Sequence, residues 1–156
     1  MAIEREVTAF SARKPRTAVE LVDQLAGGDL GRSWLNIEPG VTPEVAARFE
    51  QSPLGRAFSG RGPGLASVTI TCADAVVSVG IEHGRGPKAV EFLAERGVVV
   101  PPEWTVLSDH AKSGLVFAAP DPIDGRALVD FSVDAVRALS PSEFSDEWFI
   151  AVVGRR

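Results

Sequence analysis

Cysteine, histidine and tyrosine are nearly missing from this chain, and each shortage removes a class of chemistry. A single cysteine, Cys72, excludes an internal disulfide framework, and in VTITCAD it has the surroundings of a small buried hydrophobe. Only two histidines, His83 and His110, accompany it, too few soft ligands for a structural zinc site. No metal and no organic cofactor is therefore expected. Tyrosine is absent altogether. KSGLVFA, residues 112–118, has the basic residue, glycine and valine of an RNA-binding strand but lacks the aromatic positions on which bases stack.

Long apolar runs are missing as well. No stretch offers the roughly 18 uninterrupted apolar residues of a membrane span, and the opening MAIEREVTAFSARK places charges where a secretory leader needs an apolar core. A soluble, cytoplasmic protein without a membrane partner is the expectation. Lysine is scarce too: of sixteen basic residues only Lys14, Lys88 and Lys112 are lysine. Residues 1–64 hold eight basic and eight acidic side chains and residues 65–156 hold eight and thirteen, so the whole net charge of −5 lies in the second part. That excess argues against nucleic acid as a partner.

What is present suffices for a packed fold: 156 residues, 45% hydrophobic and 24% charged, suit one integrated globular domain. Residues 1–50 read as an N-terminal helical segment packing on the core. Thr17 and Glu20 form a capping box ahead of Leu21, Val22 and Leu25, predicting a helix over 17–26. Thr42-Pro43-Glu44 starts a second helix that Ser52-Pro53 stops, and SWLNIEP between them has the composition of a short strand. Residues 51–64 hold four glycines and two prolines and read as a linker or loop.

Residues 65–156 form the expected α+β core. LASVTITC and DAVVSVGIE are β-branched runs, either a hairpin or one long strand bent near Asp74. Pro87 to Arg96 is a helix ended by Gly97; WTVLSD and LVFAAP are strands joined by HAKSG; residues 122–139 make the longest helix; EWFIAVV closes the chain as a strand. From Asp74 on, the order is strand, helix, strand, strand, helix, strand, the split βαβ order of a ferredoxin-like core with its helices on one face of an antiparallel sheet. An extra strand at 65–72 would compete with the closing strand for the free edge of 74–82, giving a five-stranded variant or another helix-flanked antiparallel sheet. The sheet face away from the helices needs a cover, and a second copy of the chain, a homodimer, would provide one.

Candidate site residues cluster at one sheet edge. Strands 74–82 and 104–109 run the same way in this topology, so His83 and His110 leave at a common rim with Asp109, their strand ends on the order of 10 Å apart. Imidazoles beside carboxylates can serve as acid or base, which makes His83, His110 and Asp109 the catalytic candidates. HGRGPKA puts Gly84, Arg85, Gly86 and Lys88 at a helix N-terminus, where unpaired amides could hold a carboxylate or phosphate. The same segment matches GxGxxA, but Pro87 stands inside it, Glu103 follows Pro101-Pro102, and a hairpin comes next where a doubly wound sheet needs a crossover helix. The acid pairs Asp130/Asp134 and Glu91/Glu95 read as solvated helix faces, the former neutralised by Arg126 and Arg137. Phe58 and Trp148 are the candidate interaction residues.

No complete catalytic set can be assembled from these residues. The function expected is a small binding or regulatory module for a protein or a small anionic ligand. The alternative is a cofactor-independent enzyme with a histidine acid or base at the sheet edge.

Overall fold

The computed structural model describes residues 2–41, 43–44, 65–140 and 144–155. Phe58, the linker 51–64 and all but two residues of the second expected helix lie outside the described residues. Among those described, seven strands and three helices follow in the order β1 Ile3–Ser11, α1 Arg16–Ala26, β2 Trp34–Pro39, β3 Ser67–Ala73, β4 Val76–Glu82, α2 Ala89–Glu95, β5 Thr105–His110, β6 Gly114–Ala119, α3 Gly125–Leu139 and β7 Glu147–Arg155. The strands form one sheet in the order β1-β7-β2-β3-β4-β6-β5, every neighbouring pair antiparallel. None of these helices is long and apolar enough to cross a membrane.

Period-two alternation sends one side chain in two toward the helices. Leu35 and Ile37 of β2 stand opposite Ile70 and Val68 of β3, and Val79 of β4 stands opposite Phe117 of β6, all of them fully buried. Against this face α1 packs Ala18, Val22 and Leu25, and α3 packs Leu128, Phe131, Ala135 and Leu139. Burying each large apolar side chain stabilises the fold by about 1.5–3 kcal/mol. Trp104, Phe117 and Phe131 form an aromatic trio with centroids 5.1 to 5.9 Å apart, close to the edge-to-face geometry that rings prefer.

The chain is α+β, but the ferredoxin-like core preceded by two short helices is not what it forms. β6 does lie between β4 and β5, antiparallel to both. The closing strand, however, does not reach β4. Residues 67–73 turn back on 76–82 in a two-residue hairpin, so β3 occupies the edge of β4 that a ferredoxin-like sheet keeps for its last strand. β7 instead inserts between β1 and β2 near the far end of the sheet. Residues 1–50, read as a helical segment with a short strand at SWLNIEP, thus contribute two strands to the sheet, β2 at that stretch and the unexpected β1.

The reason is legible in the apolar patterns. β7, EWFIAVVGR, is apolar at six consecutive positions, and on it Trp148 and Ile150 are buried on one face while Ala151 and Val153 are buried on the other. Such a strand needs partners on both edges and cover on both faces. β1, IEREVTAFS, carries Glu4, Arg5 and Glu6 and takes the outer edge, where charge discourages pairing with foreign strands. Those same charges conceal it in the sequence.

The hairpin between β3 and β4 uses an unfavourable turn. Asp74 and Ala75 both have positive φ, +52° and +62°, as a type I′ turn requires, and alanine has no intrinsic tolerance for that region. Gly114 is needed on the opposite ground: at φ +80° a Cβ there would lie 2.2 Å from the Ile81 carbonyl oxygen, so only glycine lets β6 start this close to β4. Replacing Ala75→Gly should stabilise the protein by about 1 kcal/mol, because the loop then becomes Asp-Gly, a favoured I′ pair. Urea unfolding measures this; an unchanged or lowered midpoint would contradict the turn assignment.

Candidate functional site

The row Ile81, Leu115, Asp109 crosses β4, β6 and β5, with all three side chains on the helix face. Asp109 therefore points under α2. Its Oδ1 accepts from the Ala89 amide at 3.0 Å and its Oδ2 from the Val90 amide at 3.1 Å. A helix begins with amides that have no partner within the helix, and Lys88, the residue preceding α2, caps none of them with its side chain and sits at φ +59°. The carboxylate of the neighbouring strand takes that place, with the charge that a helix N-terminus favours. The first two amides of the helix that HGRGPKA opens thus hold an internal anion, Asp109, while the Arg85 amide of the proposed cradle Gly84, Arg85, Gly86 and Lys88 donates to His83.

The two histidines lie at the same end of the sheet but in different surroundings. His83 follows β4 and is fully buried. Its Nδ1 accepts from the Arg85 amide at 3.2 Å, which leaves the proton of the neutral ring on Nε2, a buried atom with no hydrogen-bond partner among the described residues. Burial pushes the His83 pKa below its ordinary value, and the nearby Asp109 carboxylate partly opposes that shift. His110 stands opposite Gly114 on the other face, is exposed, and accepts at Nδ1 from the amides of Lys112 and Ser113 at 3.1 and 3.3 Å. Each ring thus closes a turn through Nδ1, and the sheet separates them.

A concave site does form nearby, from residues the sequence does not group. A cleft of 560 Å³ opens between the C-terminal ends of α2 and α3, lined by Arg85, Arg96, Gly97, Val98, Asp134, Arg137, Ala138 and Ser140. Arg96 stacks on the Phe92 ring with its guanidinium carbon 3.5 Å from the centroid, and the Arg85 guanidinium carbon is 5.0 Å from the same centroid. Arg137 sits 5.6 Å from the Trp148 centroid and 4.0 Å from an Asp134 oxygen. Aromatic contacts of this kind restrain the guanidiniums while leaving their N–H edges available. Asp134 has its pKa raised by partial burial; Arg137 works against the rise and Asp130 adds to it. Ser140 closes the floor, its Oγ accepting from the Ala66 amide at 3.0 Å and so tying the end of α3 to the chain before β3.

Of the residues singled out in the sequence, only Arg85 belongs to this cleft. Gly84, Gly86 and Lys88 form the turn ahead of α2. Trp148, expected as an interaction residue, is fully buried in the core, its indole Nε1 without a partner among the described residues. Asp130 pairs with Arg126 at 2.9 Å on the α3 surface. Arg96 and Arg137 were missed because one reads as a basic helix end and the other as the partner of Asp134. Their spacing in sequence carries no signal; only the packing of α2 on α3 joins them. Among the described residues no three His, Cys, Asp or Glu side chains are grouped so as to hold a metal ion.

Compared with protein-family models, with curated proteins and with solved structures, the chain matches none.

The buried imidazole makes stability depend on pH with a definite sign. Its folded-state pKa lies below the ordinary imidazole value of about 6.5, so on acidification the unfolded chain binds the proton first. The contribution of His83 is complete above the unfolded pKa and drains away as pH falls from there toward the folded value. His83→Asn keeps an acceptor near the Nδ1 position and removes the titration. Urea unfolding between about pH 8 and about pH 5 should show a steeper acid loss in the wild type than in this variant. Parallel curves for the two proteins would mean that His83 does not take up a proton on unfolding.

Proposed function

We propose that this chain is a small binding module that holds an anionic small molecule in the cleft between α2 and α3. The observation carrying the proposal is the local charge: among the described residues Arg85, Arg96 and Arg137 line the cleft against one carboxylate, Asp134, in a chain whose net charge is −5. Clustered guanidiniums repel one another and are stabilised by an anion placed among them. The volume, 560 Å³, lies within the roughly 300–1,000 Å³ of small-molecule sites. The electropositive cleft would also attract anions that the rest of an acidic surface repels.

The enzyme alternative draws less support. His83 exposes no surface, His110 accepts two turn amides, and Asp109 is engaged with the start of α2. These three groups act on the chain itself. Asp109 and His83 therefore serve the site by positioning α2 and the loop that bears Arg85, and His110 closes the turn between β5 and β6.

Titration with inorganic phosphate, sulfate and succinate, followed by backbone NMR shifts, tests the proposal. Shifts should concentrate at Gly97, Val98 and Ala138. Arg96→Gln or Arg137→Gln should each weaken binding about tenfold or more, since each removes a charge-assisted hydrogen bond. Wild-type binding that is undiminished in both variants, or no binding of any anion, would overturn it.

The sheet also supports a second copy of the chain as partner. On the face away from the helices Val7 is 50% exposed, and Trp34 and Phe149 are half-buried. Light scattering at micromolar concentration should report a dimer; a monomer throughout would remove this part of the proposal.

A further inference from the structure

We propose that the arginine cleft selects a phosphate monoester whose carbon skeleton bears a hydroxyl group, the phosphate bound by the guanidiniums and the hydroxyl by Asp134. This inference rests on the anion-binding proposal and narrows it to a ligand class.

Charge balance gives the first step. Among the described lining residues, three guanidiniums stand against one carboxylate, an excess of two positive charges that a phosphate monoester, close to dianionic at neutral pH, cancels. A monocarboxylate or a sulfate ester brings one negative charge and leaves the cleft positive. A dicarboxylate carries enough charge but divides it between two separated groups. Arg85 and Arg96, in contrast, converge on one ring, 5.0 and 3.5 Å from the Phe92 centroid, so two of the three planar forks are gathered where one multivalent oxyanion could take both.

The remaining walls define the rest of the ligand. Val98 and Ala138 are uncharged and present apolar surface to a short carbon chain. A volume of 560 Å³ leaves room beyond the phosphate itself. Asp134 would repel a phosphate placed directly on it, so its position in the cleft suits a group that donates a hydrogen bond. A hydroxyl does so without altering the charge balance, whereas an ammonium group would restore a positive excess.

Isothermal titration of the full chain with glycerol 1-phosphate and with propyl phosphate separates these terms, because the two esters share a phosphate and differ in hydroxyls. The wild type should bind the glycerol ester about tenfold more tightly, the effect of one hydrogen bond to a charged group. Asp134→Ala, at an exposed position that leaves the core untouched, should bring the two affinities together. Equal wild-type affinities would overturn hydroxyl selection while leaving anion binding standing. A preference that survives in Asp134→Ala would overturn the assignment to Asp134. Binding of neither ester nor inorganic phosphate would sink this inference together with the proposal it rests on.

Discussion

The Asp109 carboxylate accepts from the first two amides of α2, and the position of that helix follows from those two bonds. α2 is only seven residues long, too short to hold itself in water, and it has no cap of its own. Tied to β5 at its start and packed through the fully buried Leu93, it carries Phe92 and Arg96 to the edge of α3. The preceding turn, closed by the Arg85 amide on His83, brings the Arg85 side chain to the same ring. One internal ion–dipole contact thus sets the place of two of the three arginines.

That contact also bears on where the proposed anion site can lie. A helix N-terminus attracts negative charge, and a free one at HGRGPKA would be a plausible cradle from sequence alone. With the carboxylate of the neighbouring strand already there, the amides are satisfied and the positive potential is largely cancelled. Unbalanced positive charge accumulates instead at the other end of α2, where Arg96 follows the last turn, and on α3, where Arg137 lies in the last turn. Basic residues at helix C-termini are favoured by the dipole in any case. Packing two such ends side by side turns a local preference into a cleft.

The sheet supplies the frame for this arrangement and obeys a simple division. Strands with one apolar face, such as β2 and β4, line the core; β7, apolar on both faces, is placed inside the sheet; charged β1 and the irregular β5 close the edges. β7 is further secured where it begins. The Asp146 carboxylate accepts from the Ser11 hydroxyl and from the Arg13 amide, and the Ser11 hydrogen bond is the main cause of its lowered pKa. The end of β1 and the start of β7 are joined at that point, a link of 135 residues in sequence that no local pattern announces.

The sequence by itself determined the local elements. Period-two runs marked β3, β4, β5 and β6, Leu21, Val22 and Leu25 marked α1, and the spacing of Leu128, Phe131, Ala135 and Leu139 marked α3, because these signals arise from a few neighbouring residues; the expected capping box does not form, since α1 begins at Arg16 with Thr17 inside it and no side-chain cap. It also brought His83, His110 and Asp109 to one end of the sheet, since a crossover through α2 sets β5 in the direction of β4 and a hairpin places β6 antiparallel to both. Tertiary structure alone decided which strand β7 joins, because an apolar edge can pair with any other and the choice is made by the competition among all of them. It alone decided on which side of the sheet each histidine lies. And it alone assembled the arginine cleft, since Arg85, Arg96 and Arg137 meet through helix packing, and the distance between side chains on different helices is encoded in no stretch of the chain.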